Sequence, residues 1–233
     1  MKPIGFVVGD SVPMPRLFEP ESPRLEQTWP CRLETQLPQY HWIINCRGGR
    51  ALTEAPQVLE TSVNYYRPVF TILGAGIVDC VYRAMTLREL AQIRRLPSPV
   101  GWLIQRVAKQ NHYRLTKARK VPYTSVDEFR QSLRRAADFC QQIKTTLIYV
   151  QILPPGMRMQ EVSYNVEANV ALYNQTAAEV LPSAQIVDLS EMREEIDKLV
   201  LPDGHHLNAL GHERCASKIL GRLEALGLTQ HGK

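Results

Sequence analysis

The 233-residue chain has no CxxC pair and no group of Cys and His at zinc-finger spacing. Its five cysteines, Cys31, Cys46, Cys80, Cys140 and Cys215, are odd in number and widely scattered. That pattern speaks against a disulfide framework or a zinc module, so the expectation is free thiols in a reducing compartment. No stretch approaches the roughly 20 apolar residues of a membrane span. The amino-terminal run Ile4 to Val8 is too short for a signal-peptide core. Together these point to a soluble cytoplasmic protein. There is no repeat with a period of about 20 to 50 residues, no low-complexity tract, and no helix-turn-helix, zinc-finger or RNA-binding signature. Nucleic acid is therefore not an expected partner. Thirteen Gly and sixteen Pro are near-average usage, which excludes collagen-like and broadly disordered readings.

What is present fits one globular domain over residues 1–233. A folded chain of this size hides roughly 70 to 75% of its unfolded surface, enough to sustain a core without staples. Charge is uneven. Arg83 to Arg135 holds thirteen Lys or Arg against Glu89, Asp127 and Glu128, a surplus of ten in a chain whose net charge is +5. This region is either a solvated helical face or a steering surface for an anionic substrate, an acidic polysaccharide or a membrane surface.

Apolar runs of strand length alternate with helix-length segments. The strand candidates are Ile4 to Val8, Trp42 to Cys46, Val69 to Leu73, Thr146 to Leu153 and Gln185 to Leu189. Several are continuous Ile/Val/Leu runs, as expected of strands covered on both faces. Helices are predicted over Thr28 to Leu37, Ala55 to Tyr66, Val126 to Ile143, Asn165 to Leu181 and Ala209 to Leu226. In the third, Val126, Phe129, Leu133, Ala136, Ala137 and Cys140 form one apolar stripe, and Ser125 is a ready N-cap. The fold class is α/β, a doubly wound parallel sheet of about five strands. Residues 85–125, broken by Pro97 and Pro99 and strongly basic, read as a helical insertion or lid.

Sheets of this class bind ligands beyond the carboxyl ends of their strands. Gly9-Asp10-Ser11 follows the first candidate, Asn45 to Arg50 with Gly48-Gly49 the second, and Gly74-Ala75-Gly76-Ile77-Val78-Asp79 the third. Asp203-Gly204-His205-His206-Leu207-Asn208 lies past the fifth. Converged on one edge, they supply the parts of acyl transfer. Ser11 is a nucleophile at a strand-to-helix turn, with backbone N–H groups beside it for an oxyanion. A histidine serves as base, and Asp203 orients it. His205 and His206 both suit the base by spacing. His212 falls where the last helix starts and suits a packing or surface role; His41, His112 and His231 lie outside the four exits. Cys46 and Cys80 read as packing thiols. Asp203, His205 and His206 also resemble a metal triplet, but no further ligand set is spaced to complete a shell, so neither metal nor cofactor is expected.

Gly-Asp-Ser near the amino terminus, paired with Asp-x-x-His before a final helix and followed by Leu207-Asn208 and Gly211-His212, resembles the SGNH hydrolases, or GDSL esterases. The likeness runs from residue 4 to about 225. It implies a flavodoxin-like three-layer α/β/α sandwich and a triad of Ser11, His206 and Asp203. The second family block contributes a glycine N–H to the oxyanion hole, which would be Gly49 or Gly48, with Gly49 favoured. The third block reads Gly-x-Asn-Asp in the family and Gly76-Ile77-Val78-Asp79 here, so valine replaces an oxyanion donor that is commonly worth about 10² to 10³ in kcat. Gly76 to Arg83 resembles a variant block of SGNH-like proteins encoded with bacterial surface-polysaccharide genes, which would bring Asp79 and Arg83, with Asp10, into the oxyanion or substrate site. For Asp79 the alternative is a helix N-cap.

Three readings of Val78 follow. Ser11 and Gly49 N–H groups suffice; Arg83 or Arg50 supplies a donor; or the protein binds without turnover. The expected function is a serine esterase acting on an O-acyl ester, such as an O-acetyl group on a sugar or glycan intermediate, with an anionic substrate favoured by the charge. The alternatives are a non-hydrolytic carbohydrate-binding or assembly factor and an acyltransferase using the same triad.

Overall fold

The structure is a computed structural model that describes residues 2–16 and 21–230; His231 lies outside them. Five strands, β1 (Ile4–Gly9), β2 (His41–Cys46), β3 (Phe70–Gly74), β4 (Thr146–Val150) and β5 (Ile186–Val187), form one sheet. The first half of the chain adds helices α1 (Trp29–Gln36), α2 (Ala55–Val58), α3 (Asn64–Tyr66), α4 (Ile77–Cys80), α5 (Leu87–Ile93), α6 (Ser98–Gln110) and α7 (His112–Arg119). The second half adds α8 (Val126–Gln142), α9 (Met157–Val162), α10 (Val166–Val180), α11 (Ile196–Leu199) and α12 (Ala209–Ala225).

All pairings are parallel, in the order β2-β1-β3-β4-β5. This is the flavodoxin-like order, whose direction reverses between β1 and β3 and opens a crevice there. The register sets Gly9 opposite Cys46 on one side and Gly74 on the other, so three strand exits end level. Gly9 has to be glycine for this, because an added Cβ would lie 2.7 Å from the Pro13 ring and 2.9 Å from Cys46 Sγ.

The continuous apolar strands make sense because both faces are covered. Phe6 and Val8 point into a core shared with Leu52, Leu59, Phe129 and Leu133; Val7, between them, points into the opposite core with Trp29, Leu33, Ile219 and Leu223. The result is a three-layer sandwich. Ser125 caps α8 as its position predicts: its Oγ accepts from the Glu128 N–H, and the Glu128 carboxylate accepts from the Ser125 N–H at 2.8 Å.

Several elements differ from the sequence expectation. β4 ends at Val150, and the chain leaves the sheet before Pro154-Pro155, which have no N–H for a ladder. The helical run over 55–66 is not uniform; a π turn, Leu59–Val63, joins α2 to α3. Over 85–125 the chain forms α5, α6 and α7, and its prolines sit at a helix start: Pro97 is the N-cap of α6 and Pro99 is in its first turn, where missing N–H groups leave no bond unmade.

Candidate active site

Ser11 follows β1 in a tight turn closed by the Met14 N–H on the Ser11 carbonyl, 3.1 Å. The level strand ends anchor it, through Asp10 N–H to the Gly74 carbonyl and Arg47 N–H to the Gly9 carbonyl, both 3.1 Å. At the other end of the chain, Leu201 to His206 form a compact loop. Leu201 N–H donates to the His206 carbonyl at 2.7 Å and Gly204 N–H to the Leu201 carbonyl at 2.9 Å. Gly204 has φ +80°, and an added Cβ would lie 2.6 Å from the Met159 nitrogen, so no other residue fits. Within the loop Asp203 Oδ1 accepts the N–H groups of His205 (3.0 Å) and His206 (3.1 Å), fixing both rings relative to the carboxylate.

The two ends of the chain then meet. Ser11 Oγ lies 2.9 Å from His206 Nε2, and His206 Nδ1 lies 2.6 Å from Asp203 Oδ2. Burial alone would raise the Asp203 carboxyl, but the His206 hydrogen bond, the adjacent His205 and the two backbone N–H groups outweigh it and hold it well below the usual carboxylate range. An ionised Asp203 fixes the tautomer in which Nδ1 carries the proton and Nε2 can take one from Ser11.

The rival histidines separate by geometry. His205 lies against His206 with ring centroids 4.0 Å apart and ring planes tilted by 46°, and its Nδ1 is 3.4 Å from Asp203 Oδ1 without a hydrogen-bond partner among the described residues. Burial, with His206 alongside, pushes its pKa down to about 4, so it is neutral near pH 7. His212 is fully buried in the base of α12, and its Nδ1 accepts the Trp29 N–H at 3.1 Å. The donor atoms of Asp203, His205 and His206 lie within 4.8 Å of one another, but Asp203 Oδ2 and both ring nitrogens of His206 are already engaged in the hydrogen bonds that link Ser11, His206 and Asp203. Burial also raises the Cys46 thiol to about 12 and the Cys80 thiol further, so neither is a thiolate near neutrality.

An open cleft of about 530 Å³ lies over Ser11. Gly49 and Val78 line it from the exits of β2 and β3; Gly48 does not. Gly49 has φ +73°, the left-handed conformation that favours glycine. Arg83 also lines the cleft. Its Nη2 donates to the Val78 carbonyl at 2.9 Å, its guanidinium lies 4.4 Å over the Tyr123 ring, and its buried Nε–H has no partner among the described residues.

Two residues anticipated at this edge face elsewhere. Asp79 is completely buried and is not the N-cap of α4, a position held by Gly76; its carboxylate accepts from Thr124 Oγ1 at 2.6 Å and Leu52 N–H at 2.8 Å, tying α4 to neighbouring loops beneath the cleft. Asp10 also turns inward, accepting the Val12 N–H at 2.8 Å. Burial raises Asp10 to about 7 and Asp79 to about 6. Arg50 is buried as well, and its Nη1 donates to the Gly9 carbonyl at 3.0 Å. It braces the strand ends and is not among the residues lining the cleft.

The cleft also gathers residues that spacing could not single out. Arg16, His112, Tyr123, Arg158 and Ser163 line it from four separate segments. His112, which falls outside every strand exit, reaches it from the start of α7, its Nδ1 2.8 Å from the Val162 carbonyl. Among the described residues that line the cleft, three arginines, Arg16, Arg83 and Arg158, stand against one acid, Asp203.

No protein-family profile matches the chain, and no curated protein matches it. Solved structures do. A lipase/acylhydrolase from Enterococcus faecalis superposes with a TM-score of 0.64 at 14% identity, covering 96% of each chain. A GDSL-like lipase from Parabacteroides merdae gives 0.60 at 15% identity, over 97% of this chain and 96% of its own. An acetylxylan esterase from Geobacillus stearothermophilus, solved as a catalytic mutant, gives 0.60 at 16% identity over 96% of each. At these identities the likeness is one of fold, extending over nearly the whole chain, to lipases and esterases.

Proposed function

We propose that the protein is a serine ester hydrolase in which Ser11 is the nucleophile, His206 the base and then the acid, and Asp203 the group that orients and charges it. The observation that carries this reading is the unbroken chain from Ser11 Oγ through both His206 nitrogens to an ionised Asp203, at the floor of an open cleft. Attack of Oγ on an ester carbonyl would transfer the Ser11 proton to Nε2 and leave an oxyanion. The backbone N–H groups of Ser11 and Gly49 are the donors proposed to face it, because Val78 offers no polar hydrogen. Collapse would pass the Nε2 proton to the departing alcohol and form an acyl-serine. A water, deprotonated by His206, would then release the acid and restore the hydroxyl.

Arg16, Arg83 and Arg158 favour a substrate that carries negative charge beside its ester. The acetylxylan esterase among the structural neighbours favours an O-acyl group on a carbohydrate. Val78 favours a second reading, a carbohydrate-binding scaffold without turnover, and an acyltransferase would share the acyl-serine step.

Covalent labelling by a fluorophosphonate, mapped by mass spectrometry, tests for the activated hydroxyl. The expected label is on Ser11, and Ser11→Ala should lower p-nitrophenyl acetate turnover by up to ~10⁶-fold. An unlabelled Ser11, or a variant as fast as the wild type, would refute the hydrolase.

A further inference from the structure

The stretch from Arg83 to Lys120 carries ten Lys or Arg and a single acid, Glu89. Within it, α6 lies with its apolar side turned outward. Its buried contact is made by two small residues seven positions apart, Gly101 and Ala108. The helix sits so close at Gly101 that an added Cβ would lie 3.1 Å from the Ile93 carbonyl oxygen. Val100, Leu103, Ile104 and Val107 follow one another at three- and four-residue steps, which places them on one helix face. That face looks into solvent: the four are 47%, 55%, 37% and 49% exposed. Leu96, in the bend just before the Pro97 N-cap, is 42% exposed as well. On the opposite flank Trp102 is 58% exposed, with the Arg106 guanidinium 5.0 Å over its ring.

Single exposed apolar side chains are ordinary, but a contiguous stripe of them marks a contact surface. The charge selects the occupant. A second copy of this chain would set one cationic segment against another, which is repulsive. An anionic bilayer complements both features, with acyl chains for the stripe and phosphates for the Arg and Lys around it.

We propose that α6 docks the protein on the surface of an anionic lipid bilayer, lying in the headgroup layer with Leu103 and Val107 inserted. α7 follows directly, and its first residue, His112, lines the catalytic cleft. Docking therefore sets the cleft close to the lipid surface. The inference does not depend on hydrolysis at Ser11.

The test is flotation of the full-length protein with vesicles of phosphatidylcholine alone or of equimolar phosphatidylcholine and phosphatidylglycerol. At low salt the protein should partition at least about tenfold more strongly to the anionic vesicles. Salt near 1 M, where the screening length is ~3 Å, should reduce that preference. The double substitution Leu103→Glu with Val107→Glu should weaken partitioning at least about tenfold. It should leave the melting temperature and the turnover of a soluble ester unchanged, since both side chains are exposed. Ser11→Ala should partition like the wild type, which separates this result from the fate of the hydrolase reading.

Partitioning that is absent, or unaltered by the double substitution, overturns the proposal. A dimer in sedimentation velocity that the same substitutions abolish would assign the stripe to a second copy. Equally tight, stripe-dependent binding of soluble polyglutamate would assign it to an acidic protein. Either outcome also overturns bilayer docking.

Discussion

The turn after β1 carries Asp10 beside Ser11 and the loop beyond β5 carries Asp203 beside His206, and their surroundings drive the two carboxyls in opposite directions. Asp203 keeps a side chain 25% exposed and collects a ring N–H and two backbone N–H groups. Asp10, one residue from Ser11, is 1% exposed, and a neighbouring buried carboxyl, Asp79, raises its pKa further. Sequence proximity to Ser11 is therefore a poor guide to a carboxylate's charge state. The carboxylate that can stay charged lies at the other end of the chain, while the adjacent one serves the turn's architecture. The same contrast governs stability. Asp203 gives up its proton more readily folded than unfolded, so it contributes stability above its ordinary value of 3.8, lost as pH falls through and below it. Asp10 holds its proton more tightly folded, so its contribution is fully present below 3.8, declines as pH rises and levels off above about 7.

Asp203→Asn breaks the comparison most severely. It should lower turnover of a p-nitrophenyl ester by roughly 10⁴, because an amide cannot hold the productive His206 tautomer or stabilise its cation. A loss below about tenfold would remove Asp203 from the mechanism. Asp10→Asn should act on stability instead. In urea unfolding, the wild type should lose stability relative to this variant as pH rises from about 4 to 7, by a few kcal/mol or less. A pH-independent difference would mean that Asp10 is already ionised in the fold. The smallest effect sharpens the contrast between the exits of β1 and β3. Val78→Asn restores a donor at the cleft wall and should raise ester turnover about tenfold. A fall would show that the apolar surface of Val78 is fitted to the substrate.

Most of the architecture was legible because β1, β3 and β4 are buried on both faces, which leaves continuous apolar runs with no competing helical period. Ser11, Asp203 and His206 were legible because a strand exit and a three-residue spacing carry chemistry locally. The choice between His205 and His206 was not, since an extended or turned backbone satisfies either spacing; the Gly204 turn decides which ring meets Ser11. Asp79 was misplaced for a related reason. Its position after a strand fits a cleft residue, but the fold supplies Thr124 and Leu52 as partners from distant segments. Arg16, His112 and Arg158 reach the cleft only through the tertiary arrangement of α7, α9 and the loop after Ser11, which no local pattern encodes. The π turn between α2 and α3 likewise packs against α8, an element far along the chain.

Arg50 joins the Gly9 carbonyl to Asn45, whose backbone and side-chain oxygens both accept from it. The Ser11 turn and the neighbouring glycine loop are thereby bolted into a single rigid part. A lengthened loop after β2 could not drift without dragging Ser11 out of line with His206. The helical excursion over 85–125 is tied to the cleft by other means: Thr124 holds the Asp79 carboxylate beneath it, and His112 and Tyr123 form part of its wall.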